Sequence, residues 1–326
     1  MAADGGTKAV VAALLANTGI AITKFIAFFL TGVSSMLAEA IHSVADAGNQ
    51  GLLLLGGKRS QREATEEHPF GFGRERYIYS FIVAIVLFSV GGLFALYEAY
   101  HKYHEIVAGD AELKEGWVRF VPLVVLGIAI VLESLSFRTA IIETNKVRGS
   151  ASFPQFIRRA KQPELPVILL EDLAALLGLV FAFVAVTLML ITGNLYYDVG
   201  GTALIGVLLV VVAITLAIET KSLLLGESAS PEAQDRIRTA LEGTRTFDRV
   251  IHMKTLHLGP EELLVVAKVG VPEGATAEEI AVSIDEAEQA IRAAEPTAQA
   301  IYLEPDIYRA DHVPAERPEP PAPAGH

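Results

Sequence analysis

The sequence lacks cysteine altogether and contains one tryptophan in 326 residues; charged residues make up only 20% of it, against 52% hydrophobic residues. Without cysteine, neither a disulfide framework nor a thiolate zinc site can form. The chain also lacks the GxxxxGK[ST] loop that binds ATP and the HExxH pair of a metalloprotease helix. Zinc chemistry of the cysteine type is therefore excluded.

Long apolar runs recur along the first two thirds of the chain, whereas a soluble domain has none. Six runs each have the roughly 20 residues that a helix needs to cross a bilayer core of about 30 Å. They cover 8–31, 35–57, 77–100, 117–137, 165–192 and 198–221. We therefore predict an α-helical polytopic membrane protein with six transmembrane helices. The first run is long and has no small-residue cleavage site, so we expect it to remain as a helix.

Basic residues are concentrated in two connections between these runs, 58–76 and 138–164, while the turns at 32–34 and 193–197 have none. The positive-inside rule then predicts a multi-pass protein of the cell (inner) membrane with both termini in the cytoplasm. From residue 226 onward the chain has 19 acidic against 9 basic residues. This acidic character argues against a nucleic-acid partner, because phosphate binding needs a basic patch.

The C-terminal part has the pattern of a separate small α+β domain over 226–305. Its predicted elements follow the order helix, strand, strand, helix, strand, and fit a small sheet with helices on one face. They cover 231–243, 248–259, 262–271, 275–295 and 298–305, with Ser230 as N-cap of the first helix. The predicted domains are thus a six-helix membrane domain (1–225), this cytoplasmic domain (226–305) and a disordered Pro/Ala-rich tail (306–326).

Polar groups interrupt the second apolar run, where they are most costly. The stretch LAEAIHSVADAGNQ (37–50) carries Glu39, His42, Asp46 and Asn49, whose spacings of 3, 4 and 3 put all four on one helix face. His42 and Asp46 are four residues apart, so their side chains can point at one ion. Imidazole nitrogen with carboxylate oxygen suits zinc and similar first-row divalent cations.

The fifth apolar run, VILLEDLAALLGLVFAFV, contains a second acidic pair, Glu171 and Asp172. Ionisable groups inside membrane helices usually face a cavity or an ion pathway, although His42 alone could equally be a satisfied core residue. Glu39 is either a ligand or a residue at the outer mouth, and Asn49 is a candidate for lining the pathway. Other polar residues either line the pathway or serve packing and snorkelling; they are Asn17, Lys24, Glu98 and Glu133.

Four phrases of the sequence resemble the cation diffusion facilitator family, and most of all its zinc transporter nine-like branch. They are TGVSSMLAEAIHSVADAGNQGLLLLG, EEHPFGFGRERY, VILLEDLAALLGLVFA and TGNLYYDVGGTALIGVLL. The resemblance covers roughly residues 8–305 and implies a six-helix transport domain with a cytoplasmic ferredoxin-like domain. It further implies a homodimer that exports zinc in exchange for protons, with Zn²⁺ as the transported ion and no prosthetic group.

The resemblance also implies a transport site with two ligands from the second helix and two from the fifth, each pair four residues apart. His42 and Asp46 match the first pair, and Asp172 matches the second member of the other. The first member would be Ile168, which cannot bind a metal. Glu171 or a water would complete a four-coordinate site, although consecutive helical residues point about 100° apart.

The secondary metal sites that the resemblance implies lack some of their ligands in this sequence. His68 matches a ligand in the connection after the second helix, but Phe72 stands four residues on, which favours a structural role over a weak site. In the C-terminal domain His252 and Glu304 stand at expected ligand positions, while two further positions hold residues that cannot bind. Strand alternation puts His257 on the face opposite His252, and we expect it to face solvent.

The predicted activity follows from the ligand chemistry. Metal binding needs a neutral imidazole and ionised carboxylates, so it expels protons, and a site that opens alternately to each side couples the two flows without ATP. The sequence thus predicts a secondary active transporter, not an enzyme: a Zn²⁺/proton antiporter. The alternatives are the same transport with Mn²⁺, Fe²⁺ or Co²⁺ as cargo, or a membrane metal sensor or scaffold without flux.

Overall fold

A computed structural model of the protein describes residues 2–111 and 115–309, and for residues 2–16 it describes the helical backbone alone. The predicted tail therefore lies largely outside the described residues. The chain divides into two compact units. The first comprises the residues up to Glu227 together with His257–Glu262, and the second comprises Ser228–Leu256 and the residues from Leu263 on.

Among the described residues, six long helical stretches and one short helix build the first unit. They are α1 (Ala2–Thr31), α2 (Ser34–Ser60), α3 and α4 (Glu75–Val86 and Phe94–Ala108, joined by the π-helical segment Leu87–Leu93), α5 (Val121–Val147), the short α6 (Phe153–Arg159), α7 (Glu164–Thr192) and α8 (Tyr196–Leu225). Each predicted apolar run coincides with one long stretch. Gly193, with a φ of 70°, ends α7 in the left-handed conformation that favours glycine.

Four of these stretches, in the part of the chain that the structure describes, are long and apolar enough to cross a membrane. They are Glu75–Ala108, Gly116–Val147 (α5 together with the 3-10 turn Gly116–Phe120 that precedes it), Glu164–Thr192 and Tyr196–Leu225. The described part of α1 contributes a shorter apolar helix, Asn17–Thr31. Polar and small residues make α2 less apolar than the others. A helical domain of the membrane type is therefore confirmed, and crossing by all six stretches stays a prediction.

The outward surface of these helices is apolar. Phe29, Val124, Ile191 and Ile218, from four different helices, are all well over half exposed. Water would penalise such a surface, whereas lipid tails accommodate it. Of these four stretches, the one that contains α5 is the least covered by the rest of the protein.

The N-terminus of α2 is capped by another helix. Val33 at its N-cap makes no side-chain hydrogen bond. Instead, buried Asp198 in the first turn of α8 accepts hydrogen bonds from the backbone N–H groups of Ser34 (2.8 Å) and Ser35 (3.1 Å). A helix N-terminus has unpaired N–H groups and a partial positive charge, so a carboxylate there stabilises it. Asp198 thereby anchors α2 to α8.

The second unit follows the predicted order of elements closely. They are α9 (Pro231–Glu242), β1 (Arg249–Gly259), β2 (Glu262–Gly270), α10 (Ala277–Ala294) and β3 (Ala298–Asp306), of which only the residues His257–Glu262, where β1 turns into β2, are grouped with the first unit. Ser230 caps α9 as predicted, accepting a hydrogen bond from the Ala233 N–H at 3.2 Å. The strands lie in the order β1-β2-β3, with β2 and β3 parallel. A two-residue connection makes β1 and β2 an antiparallel hairpin, so the sheet is mixed.

Both helices of this unit contribute to one core with the strands. Ile237 and Leu241 of α9 and Ile291 of α10 are fully buried against Val265 and Val269 of β2 in the same apolar cluster. This α+β core is confirmed. The ferredoxin-like assignment is more specific than these elements define, and it stays a prediction.

The Asp198 anchor leads to a first prediction. Asp198→Ala removes two hydrogen bonds to backbone N–H groups and should lower the free energy of unfolding by about 2 kcal/mol. The measurement is thermal unfolding of the full chain in detergent. Asp110→Ala, which removes an exposed carboxylate, is the control and should unfold as the wild type does. Equal unfolding of both variants would contradict the anchor.

Candidate metal centre

His42 lies on the inner face of α2 with only 1% of its surface exposed. Neither ring nitrogen has a hydrogen-bond partner among the described residues. Its Nδ1 lies 3.5 Å from Oδ1 of Asp46, one turn further along the helix, without the geometry of a hydrogen bond. Buried polar groups are normally hydrogen-bonded. The nitrogens of this ring are therefore available to a cation.

Helix α7 supplies a carboxylate to the same place. The carboxyl groups of Asp46 and Glu171 are close neighbours. Asn49, fully buried on α2, donates a hydrogen bond from Nδ2 to Oε1 of Glu171 at 3.1 Å. Oδ1 of Asp46 and Oδ1 of Asn49 are buried without a partner in the described part of the chain. The line of contact between α2 and α7, which we call the α2–α7 seam, thus holds oxygen ligands beside His42.

Asp172 has a different neighbour. It is partly buried, and its Oδ2 accepts a hydrogen bond from Oγ of Ser136 on α5 at 3.0 Å. Consecutive residues point about 100° apart on a helix. When Glu171 faces α2, Asp172 therefore faces α5. In this conformation Glu171, rather than Asp172, contacts Asp46.

The ligand atoms lie near one another but do not surround one point. Among the described side chains, no group of three or more His, Asp or Glu residues is arranged to hold a metal ion. Asp46 is the link, because it contacts both His42 and Glu171. Binding of an ion at the seam requires these side chains to rotate toward a common centre.

Glu39, considered as a ligand or a residue at the outer mouth, is buried and ion-paired. Its Oε2 lies 3.0 Å from Nζ of Lys24 on α1, which also donates to Oγ of Ser43 at 2.8 Å. Lys24 is only 3% exposed, so it does not snorkel. The sequence carried a signal for this pair: the two residues lie at similar distances from the short turn at Gly32, and antiparallel helices place such residues at one depth.

The other polar residues of the membrane helices differ in their surroundings. Asn17 on α1 and Glu133 on α5 are partly buried. Glu98 accepts a hydrogen bond from Oγ of Ser34 at 3.0 Å, beside the anchor at the N-terminus of α2. Glu98 thus lies at the N-terminus of α2, beside Asp198, rather than at the α2–α7 seam.

His68 lies exposed in the connection after α2. Its ring stacks on the ring of Phe72, with 4.7 Å between the ring centroids. The guanidinium of Arg62 lies 4.3 Å from the centroid of the Phe72 ring. The residue that replaces an expected ligand is therefore part of an aromatic and cationic stack.

His252 and Glu304 are exposed on the outer strands β1 and β3, with β2 between them. At least two strand spacings, about 10 Å, separate their backbones. Glu304 is paired with Lys268 at 2.9 Å. The structure does not bring these two weak candidates together.

The expectation that His257 faces solvent is wrong. The residue is buried, and its Nδ1 lies 3.3 Å from the carbonyl oxygen of Gly259. Strand alternation predicts which residues share a face, but it does not say which face is covered.

Comparison with known proteins defines the class of this chain. A family model described as the cation efflux transmembrane domain matches residues 10–225. The chain therefore belongs to the cation diffusion facilitator family. This confirms the resemblance in the sequence.

Individual relatives point to the zinc transporter-like branch of that family. The chain is 34% identical over 270 residues to the mitochondrial proton-coupled zinc antiporter SLC30A9 of Mus musculus, covering 81% of this chain and 46% of the relative. It is 28% identical over 270 residues to metal tolerance protein C4 of Arabidopsis thaliana, covering 80% and 56%. The chain spans about half the length of these curated relatives.

The different directions of Glu171 and Asp172 give a second prediction. Glu171→Gln and Asp172→Asn each remove one charge at nearly constant shape. If the ion binds at the seam, Glu171→Gln should weaken zinc binding at least about tenfold, and Asp172→Asn by less than about threefold. Titration calorimetry of the full chain in detergent measures both. The reverse order would contradict the seam and favour the ligand pattern implied by the family.

Proposed function

We propose that this member of the cation diffusion facilitator family is a Zn²⁺/H⁺ antiporter that exports zinc from the cytoplasm by alternating access. The observation that carries the proposal is His42, a buried imidazole with both nitrogens unpartnered among the described residues, beside the carboxylates of Asp46 and Glu171. The name of the relative SLC30A9, a proton-coupled zinc antiporter, supports the same cargo and coupling.

The proposed ligands suit the ion. Zn²⁺ prefers four ligands drawn from nitrogen, sulfur and oxygen. His42 supplies a directional nitrogen, and Asp46 and Glu171 supply carboxylate oxygens whose charges match that of the dehydrated ion. The free amide oxygen of Asn49 or a water completes the set. Asp172, on the adjoining face of α7, extends the acidic path toward α5.

Proton coupling follows from competition for the same groups. Zinc binds the neutral imidazole and the ionised carboxylates, so its arrival displaces the protons that these groups hold in the metal-free state. When the site opens to the other side, protons from that solution displace the metal in turn. A site that opens to one side at a time therefore exchanges zinc for protons and needs no ATP.

The remaining organisation belongs to the same proposal. It comprises six membrane crossings, both termini in the cytoplasm, a ferredoxin-like cytoplasmic domain and a homodimer. The basic connections 58–76 and 138–164 support the orientation, because positively charged loops stay on the cytoplasmic side.

Transport by purified protein is the direct test and gives a third prediction. Proteoliposomes with an encapsulated zinc dye should take up Zn²⁺ faster when the lumen is more acidic than the bath, because outward proton flow then drives zinc inward. Asp46→Asn should abolish this uptake, since it removes the carboxylate that links His42 to Glu171. Asp110→Asn, a change of an exposed loop residue, is the matched control and should transport as the wild type does.

The same vesicles separate the alternatives. Gradient-driven uptake of Mn²⁺, Fe²⁺ or Co²⁺ in preference to zinc would change the cargo and keep the mechanism. Uptake of zinc that ignores the proton gradient would overturn the antiport. Failure of folded wild-type protein to move any of the four ions would overturn the proposed function and favour a sensor or scaffold.

A further inference from the structure

The α2–α7 seam has carboxylates at two levels. Asp46 contacts Glu171 at one level, and Oε1 of Glu39 lies 2.7 Å from the position that a Cβ on Gly178 would take at the other. The steps from Glu39 to Asp46 on α2 and from Gly178 to Glu171 on α7 are both seven residues, in opposite directions along the sequence. The helices are therefore antiparallel, and the two levels are about 10 Å apart.

Lys24 occupies the level of Glu39. Its ammonium lies 3.0 Å from Oε2 of Glu39, 2.8 Å from Oγ of Ser43 and 3.4 Å from the carbonyl oxygen of Glu39. An ammonium has three N–H donors, so these contacts use all of them. Because the residue is almost fully buried, the cation is held between α1 and α2 and does not reach water.

One carboxylate oxygen of Glu39 points toward the α2–α7 seam. Its Oε1 is buried without a hydrogen-bond partner among the described residues, and it faces the backbone of α7 where Gly178 has no side chain. Glu39 and His42 are three residues apart and share one face of α2. An ion bound to His42 therefore lies within the electrostatic range of both Glu39 and Lys24.

We propose, building on the proposed function, that Lys24 is a built-in counter-cation that keeps Glu39 from acting as a metal ligand. With Glu39 neutralised, the two carboxylates that would bind the ion, Asp46 and Glu171, supply the two negative charges that balance one divalent ion. Without Lys24, the free carboxylate of Glu39 adds a further anionic ligand one turn from His42, and the ion is held too tightly for rapid release. Without Glu39, the unbalanced ammonium repels the ion.

A double-mutant cycle on the full chain in detergent tests this role. Lys24→Met keeps a long unbranched side chain without charge, and Glu39→Gln keeps the shape of the glutamate. Zinc calorimetry should show binding at least about tenfold tighter in Lys24→Met and at least about tenfold weaker in Glu39→Gln. The double variant should return to within about threefold of the wild type, because both charges are then removed. In proteoliposomes Lys24→Met should lower KM and the maximal rate together.

The direction in which each single variant shifts the zinc affinity distinguishes a counter-cation from a purely structural ion pair. If Lys24 and Glu39 only hold α1 against α2, both single variants shift binding in the same direction or not at all, and the inference is overturned. Should Lys24→Met fail to fold, Glu39→Gln still decides, since unchanged or tighter binding contradicts a role for Lys24 as counter-cation. A wild type that binds no zinc, or binds it as well as Asp46→Asn does, instead overturns the proposed function.

Discussion

A charge inside an apolar helix bundle needs a partner, because removing it from water costs several kcal/mol even after the surroundings relax. This requirement connects the helices of the first unit. Asp198 of α8 pairs with backbone N–H groups of α2, Lys24 of α1 pairs with Glu39, and Asn49 pairs with Glu171 of α7. Each pair joins α2 to a different helix. Helix α2, which carries many polar side chains, is therefore held in position by contacts with three other helices.

The same requirement separates structural from functional groups. A carboxylate that already accepts hydrogen bonds from fixed donors, as Asp198 does, gains little from a cation. An imidazole with two unpartnered nitrogens gains much, since it is buried without compensation. His42 and Asp198 are both buried on the inner surface of the bundle, yet their hydrogen bonding gives them opposite roles.

Features that depend on local periodicity could be predicted from the sequence, whereas features that depend on the rotation of one helix against another could not. Apolar run length located the helices, alternation located the strands, and spacing placed Glu39, His42 and Asp46 on one face. The choice between Glu171 and Asp172 depends on how α7 is rotated, and at Gly178 the lack of a side chain leaves room for the carboxylate of Glu39. No one-dimensional pattern records which helix α7 meets.

The contact between Asp198 and α2 involves the main chain of its partner, and this has a consequence for how the protein can vary. Asp198 keeps its hydrogen bond to the backbone N–H at position 35 with any residue there that is small enough for a buried position and is not proline, which has no N–H. Position 35 can therefore vary among small residues while the contact between Asp198 and α2 persists. The constraint falls instead on an aspartate 163 positions away in the chain.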